Sequence, residues 1–240
     1  MAAQRGLLLI ADIGGYTRFM HLHRLSLAHA QDVTGRLLTA VVEAVPQLRL
    51  IEIEGDAGFF YGADTKPSTT VELALAMHRA FHAQQARMVA LNLCSCSGCV
   101  QAGRLKLKCV AHCGEVATQT IGRTTTLVGV DVIAVHRMLK NDVPVPEYVL
   151  ITAPIYEDCD SGIKDRATGL EQELEGLGRT QTYWLDIADA AGEVAPPPTA
   201  TFAHRVRETA GVIGRSLPYL LGMRRFRYAL EADRELTRAD

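Results

Sequence analysis

The strongest constraint on the fold is a short apolar run, Leu7 to Ala11, that stops abruptly at a single acid, Asp12. A continuous apolar stretch, rather than an alternating one, predicts a strand buried on both faces. Gly14, Gly15, Tyr16 and Thr17 follow and lead into a segment with helical spacing. A carboxylate at the end of a buried strand, beside flexible backbone and a helix start, suits a metal and a phosphate. It equally suits a plain turn, where Asp is common.

The rest of the chain alternates between the two periodicities. Helices are predicted over 16–23 and 27–45, the second with Val33, Leu37, Leu38, Val41 and Val42 on one face and Pro46 at its end. Leu48 to Glu54 alternates at period two, Gly55-Asp56-Ala57-Gly58 is turn chemistry, and Phe59-Phe60-Tyr61 starts the return strand. A long helix over 70–92 precedes a strand over 105–112, a hairpin about Gly122, a helix over 130–139 and a strand over 148–152. Segments 172–174 and 180–187 close as a last hairpin. This order predicts an α+β fold on a ferredoxin-like βαββαβ core, a mixed sheet with helices packed on one face.

The domain is expected to span 1–187. A linker over 188–201 follows, with Pro196-Pro197-Pro198 among small and acidic residues. A basic helical tail over 202–240 carries Arg205, Arg207, Arg215, Arg224, Arg225, Arg227, Arg234 and Arg238, with a break expected near Gly214 to Pro218 and Gly222 as a second candidate. The 240 residues suit one domain plus such an appendage. With 48% hydrophobic and 22% charged residues and a net charge of −2, no global basic field recruits nucleic acid, and no DNA or RNA partner is expected. No apolar run is long enough to span a bilayer and the N-terminus lacks a secretory layout, so the cytoplasm is the expected location.

In a βαββαβ core the first two strands run parallel, so the end of the first and the turn after the second share one sheet edge. That predicts Asp12 and Asp56 side by side. Carboxylates about 4 Å apart repel by roughly 4 kcal/mol at an effective dielectric of about 20. A divalent cation offsets this, and Mg²⁺ suits two carboxylates plus phosphate oxygens. The alternative is that each Asp serves only its own turn.

Three blocks, Asp12-Ile13-Gly14-Gly15-Tyr16-Thr17, Glu52-Ile53-Glu54-Gly55-Asp56-Ala57 and His112-Cys113-Gly114-Glu115, resemble the catalytic domain of class III adenylyl and guanylyl cyclases, and 129–138 resembles a fourth. The resemblance runs over 7–187 in order and spacing. Within 91–141 the chain is similar to a narrower set of uncharacterised bacterial cyclase-like proteins that share a Cys-x-Cys-x-x-Cys loop. The resemblance implies a fold of the nucleotidyl cyclase type, with two Mg²⁺ or Mn²⁺ ions held by Asp12, Asp56 and the Ile13 carbonyl. It implies that Gly14 to Thr17 hold the triphosphate of a nucleoside triphosphate and that Arg137 stabilises charge at the α-phosphate, supplied across a head-to-tail homodimer. A 3′,5′-cyclic nucleotide and diphosphate would be the products.

The departures are equally specific. The family's transition-state asparagine falls on Ile133, and its late phosphate-binding lysine on Glu175. The base-reading position holds Glu52, which leans toward guanine or is an exposed strand residue, and its pair is Thr126. Loss of one oriented donor costs about 10²–10³ in rate. The second reading is therefore a degenerate cyclase-fold module that binds nucleotide or senses metal or redox state; a pure scaffold is a third.

Cys94, Cys96 and Cys99 supply three ligands for zinc or part of an iron–sulfur site, with Cys109, Cys113, His112 or another subunit as a fourth. Reactive thiols, or no role, are the alternatives. His78 and His82 have the spacing of a helical metal pair, but without a third ligand they read, like His21, His23 and His136, as surface or packing residues. The tail reads as a face packed across a dimer, or as a contact for membrane phosphates or an acidic partner.

Overall fold

The computed structural model describes residues 3–22, 27–91, 101–192, 199 and 201–220. Strand β1 (Gln4–Gly14) lies at its centre. It pairs antiparallel with β3 (Ala57–Gly62) on one side and with β4 (Lys106–Ile121) on the other. Leu7, Leu8, Leu9 and Ala11 are fully buried. The run is continuous because both faces of β1 meet protein. Leu7, Leu9, Ala11 and Ile13 pack in the layer of α2 (Leu27–Glu43) and α3 (Thr70–Leu91). Leu8 and Ile10 pack with Val135 and Met138, in and just after α4 (Val130–Arg137).

The sheet has eight strands in the order β2-β3-β1-β4-β6-β8-β7, with β5 (Thr124–Val128) paired to the far end of β4. Strands β2 (Arg49–Glu54), β6 (Tyr148–Thr152), β7 (Thr168–Leu174) and β8 (Gly178–Asp186) complete it, and among the described residues only the β4–β6 pair is parallel. This is the expected mixed α+β sheet. The two long helices share one face, as expected. The short α4 lies on the other, where Leu8, Ile10, Phe59 and Tyr61 present a second apolar surface. Short helices α5 (Ala153–Asp158) and α6 (Ser161–Lys164) follow β6.

Two expectations for the C-terminal part are corrected. Residues 188–190 are not extended: α7 (Ile187–Ala190) is a helical turn capped by Asp186, whose Oδ1 accepts from the amides of Ala188 (2.9 Å) and Asp189 (3.1 Å). Aspartate at an N-cap is strongly favoured. Helix α8 (Phe202–Leu220) runs through Gly214 and Pro218 without the expected break and lies against α2 and α3. A glycine costs a helix only about 1 kcal/mol relative to alanine, too little to end one held by packing. Residues 221–240, with Arg224, Arg225 and Arg227, lie outside the described residues. Among the described residues no helix is long and apolar enough to cross a membrane.

Candidate functional site

The register of the central strands decides where the acids fall. Asp12 stands opposite Ala57 of β3 and Lys108 of β4, and the Ile13 amide donates to the Asp56 carbonyl at 3.2 Å. The turn that holds Asp56 is thereby fastened to the end of β1, and the two carboxylates meet at one rim, as the strand order predicts. Burial and the neighbouring Asp12 push the Asp56 carboxyl up to about 6. Such a shift marks charge that the protein alone does not fully offset. Tyr16 is raised for related reasons, by burial and then by Asp56.

A partner that the linear sequence hides is Lys108, whose Nζ lies 3.0 Å from Asp12 Oδ2. Burial opposes its charge, but Asp12 and, more weakly, Asp56 hold its pKa above the usual lysine value. The alternation Lys106-Leu107-Lys108 puts both lysines on one side of β4 while Leu107 enters the core, but that Lys108 meets Asp12 is set by the β1–β4 register. Two carboxylates at one rim are oxygen ligands that suit a hard cation, while the Lys108 ammonium, which has no lone pair, neutralises part of their charge.

Gly15 has φ of +86°, a turn that an L side chain resists, and it aims the chain into α1 (Tyr16–Leu22). The Phe19 amide donates to the Gly15 carbonyl at 3.0 Å, and Thr17 is exposed at the start of that helix. Glu52 is exposed on β2 next to an irregularity in the β2–β3 ladder. Thr126 is half-buried on β5, opposite Gln119, and β5 packs against β2. The strands of these two residues are therefore neighbours.

Helix α4 is held by a separate polar cluster. Asp131 accepts from the Glu115 amide at 2.6 Å and lies 3.1 Å from His112 Nε2, while His112 Nδ1 is 2.9 Å from Thr152 Oγ1. A Cβ on Gly114 would overlap the Asp131 carboxylate, so glycine is required there. Ile133 is 48% exposed. Arg137 points its Nη1 toward Glu175 in the β7–β8 turn, at 3.8 Å. Within one chain Arg137 thus pairs with Glu175 and has no ion pair to Asp12 or Asp56.

Cys94, Cys96 and Cys99 lie outside the described residues. Of the fourth ligands considered for them, two are free thiols buried in the sheet and one is a hydrogen-bonded imidazole. Cys109 is fully buried in the sheet, where burial pushes its thiol up to about 12, Cys113 is buried farther along the same strand, and His112 belongs to the Asp131 cluster. A constellation missed in the sequence joins His78 and His82 of α3 to Glu147, the residue before β6. Burial would raise the Glu147 pKa, but His78, His82, Lys106 and the Leu107 amide hold it well below the usual carboxylate range.

Comparison with known proteins agrees with this geometry at the level of fold. The domain resembles the adenylyl cyclase CyaB of Pseudomonas aeruginosa, with a TM-score of 0.51 and 17% identity over 77% of this chain and 95% of that one. The guanylate cyclase domain of RhGC from Catenaria anguillulae, solved in complex with GTP, gives a TM-score of 0.55 and 17% identity over 77% and 97%. A class III adenylyl cyclase-like ATP-binding protein from Pseudomonas aeruginosa gives 0.57 and 18%, covering 68% of this chain and 36% of that chain. The fold is thus that of the class III cyclase catalytic domain. Residues 34–148 match the model of a protein family of unknown function, DUF2652. The uncharacterized protein Rv2561/Rv2562 of Mycobacterium tuberculosis is 36% identical over 191 residues, 79% of this chain and 90% of that protein. The chain belongs to the family of that mycobacterial protein, a family with the nucleotidyl cyclase fold.

Proposed function

We propose that this protein binds a nucleoside triphosphate with divalent metal ions at the Asp12–Asp56 rim and converts it slowly to a 3′,5′-cyclic nucleotide and diphosphate. The observation that carries the reading is the meeting of these carboxylates, with Asp56 pushed up to about 6 by burial and by Asp12. Asp12, Asp56 and the Ile13 carbonyl would hold Mg²⁺ or Mn²⁺, an oxygen donor set that fits hard cations. When bound, the ions supply charge neutralisation of the phosphates and activation of the ribose 3′-hydroxyl. Gly14 to Thr17 receive the triphosphate, and Glu52, with Thr126 on a strand in contact with its own, leans the base preference toward guanine. Arg137 serves the α-phosphate of a second copy's site in a head-to-tail homodimer. The exposed apolar side chains of Val130 (63%) and Ile133 (48%) support such a covered face. A cytoplasmic location is part of this reading, as are zinc or an iron–sulfur group at Cys94, Cys96 and Cys99 and an acidic partner or membrane contact for the tail.

A second reading has its own support. Ile133 offers no hydrogen-bond donor, and Arg137 is drawn toward Glu175 at 3.8 Å. Both features favour a module that binds nucleotide without turnover.

Incubation of the purified protein with each of ATP, GTP, CTP and UTP and Mn²⁺, with cyclic products measured by mass spectrometry, tests the first reading. Cyclic product is expected, with GTP preferred, and Asp56→Ala should abolish it. Equal background from wild type and Asp56→Ala, with nucleotide binding retained in wild type alone, would establish the second reading instead. Metal analysis of wild type against Cys94→Ser/Cys96→Ser tests the cysteine loop, where equal metal content would dismiss a site.

A further inference from the structure

We propose that His78, His82 and Glu147 form a binding site for a borderline transition-metal ion, with Zn²⁺ the ion it suits best. The site uses none of the residues assigned to the nucleotide and stands or falls independently of that reading.

The three ligand atoms lie within 4.8 Å of one another. His78 and His82 are one helical turn apart on α3 and present their rings on one face, with centroids 4.4 Å apart. Glu147 reaches them from the entry to β6, its Oε1 lying 2.6 Å from His82 Nε2 and 3.4 Å from His78 Nε2. Ligands about 2.0–2.1 Å from a tetrahedral zinc stand about 3.3 Å from each other, so the His78–Glu147 separation already matches and the His82–Glu147 pair needs only to widen.

Two observations, beyond the spacing of the ligands, point to a metal here. The first is His78. Its side chain is 4% exposed, and among the described residues its ring nitrogens meet only the long 3.4 Å approach of Nε2 to Glu147, with no hydrogen bond of good geometry at either nitrogen. A buried polar group without a well-made hydrogen bond calls for an explanation, and ligation of a metal ion is one. The second is the tautomer of His82. Gln85 Nε2 donates to the carbonyls of Ala102 (2.8 Å) and Leu105 (2.9 Å), so its Oε1 faces His82 Nδ1 at 3.0 Å. An amide oxygen only accepts, so Nδ1 carries the hydrogen and Nε2 of a neutral ring presents a lone pair to the Glu147 carboxylate. Two acceptors face each other there, and only a proton or a metal reconciles them. A hydrogen bond that fixes the distal ring nitrogen is also how metal-bound histidines are oriented.

The donor set selects the ion. Two imidazoles and a carboxylate suit Zn²⁺ and its first-row neighbours rather than Mg²⁺ or Ca²⁺, and a fourth position is left for water. Glu147 is already oriented by the Leu107 amide at 3.1 Å and by Lys106 Nζ at 3.0 Å from its other oxygen. The Lys106 side chain is 42% exposed, so it can turn to solvent when the metal brings its own charge. Bound zinc would pin α3 to the start of β4 and β6.

The test uses the full chain with Cys94→Ser, Cys96→Ser and Cys99→Ser, so that these thiols take no metal. After metal stripping, Zn²⁺ is titrated against a chromogenic chelator, and about one zinc per chain is expected. His78→Gln/His82→Gln should abolish binding, Gln85→Ala should weaken it about tenfold, and Lys106→Met should leave it intact or tighten it. Circular dichroism verifies the fold of each variant. Co²⁺ added to the protein with the site intact should give the visible bands of tetrahedral nitrogen and oxygen ligation, a readout that needs no site variant. Zinc binding unchanged in a folded His78→Gln/His82→Gln protein would overturn the proposal. So would absence of both zinc uptake and tetrahedral Co²⁺ bands when the site is intact.

Discussion

The ammonium of Lys108 lies 3.0 Å from an Asp12 carboxylate oxygen, directly across the β1–β4 ladder. In the metal-free protein it relieves part of the repulsion between Asp12 and Asp56, and it competes for the oxygens a cation would take. Replacement by Met should lower the unfolding free energy of chelator-treated protein by about 2 kcal/mol, the range for hydrogen bonds to charged groups. The rise in Tm on adding Mn²⁺ should then exceed that of wild type. Thermal melts with chelator and with Mn²⁺ read both effects.

Asp56 makes stability fall with pH. Its carboxyl is raised from 3.8 to about 6 in the native chain, so the native state holds this proton more tightly than the unfolded one. The associated stability is complete below about pH 4 and declines as the pH rises through 6. Asp56→Asn should match wild type near pH 4 and exceed it at pH 7 by about 1 kcal/mol in chelator, the full shift being reduced because the group is only half-buried. Urea unfolding at the two pH values checks this. The same variant should lose the Mn²⁺-induced rise in Tm.

Ile133 sits 48% exposed on α4, so a polar side chain fits without disturbing the core. Ile133→Asn would restore an oriented donor where the cyclase pattern has one. Cyclic product from Mn²⁺ and nucleoside triphosphate should rise about 10²-fold over wild type. Mass spectrometry of timed reactions measures the ratio, and a ratio of one would remove Ile133 as the limiting residue.

Gly114 sets the position of α4. A Cβ there would overlap the Asp131 carboxylate, which accepts from the Glu115 amide at 2.6 Å. Gly114→Ala should cost about 1–3 kcal/mol, as overpacking typically does. Because Asp131 is in the first turn of α4, the helix that carries Ile133 and Arg137 should shift with it. Denaturant unfolding and product formation should therefore fall together.

What was legible in the sequence was what burial and local turns dictate. The Leu7–Ala11 run had to be an interior strand, and the Gly55-Asp56 turn after an alternating strand had to be a hairpin, which together brought Asp12 and Asp56 to one rim. Lys108 was not legible as their partner, because its place depends on the β1–β4 register rather than on any local pattern. The spacing of His78 and His82 was visible, but Glu147 joins them only through the parallel β4–β6 pairing. The continuity of α8 past Gly214 was misread because a local glycine penalty is small beside contacts with α2 and α3.

The two acids hang from parts of the sheet with unequal lifetimes against opening. Strand β1 is flanked by β3 and β4 and buried on both faces, so its amides should be among the last to exchange with solvent. Asp56 instead rides on a hairpin whose outer strand, β2, is the sheet edge, with its final three residues exposed. Local opening should therefore release Asp56 while Asp12 stays in place. How long a bound cation stays should follow the breathing rate of that hairpin, and amide exchange at Ile53 and Glu54 should slow when Mn²⁺ is added.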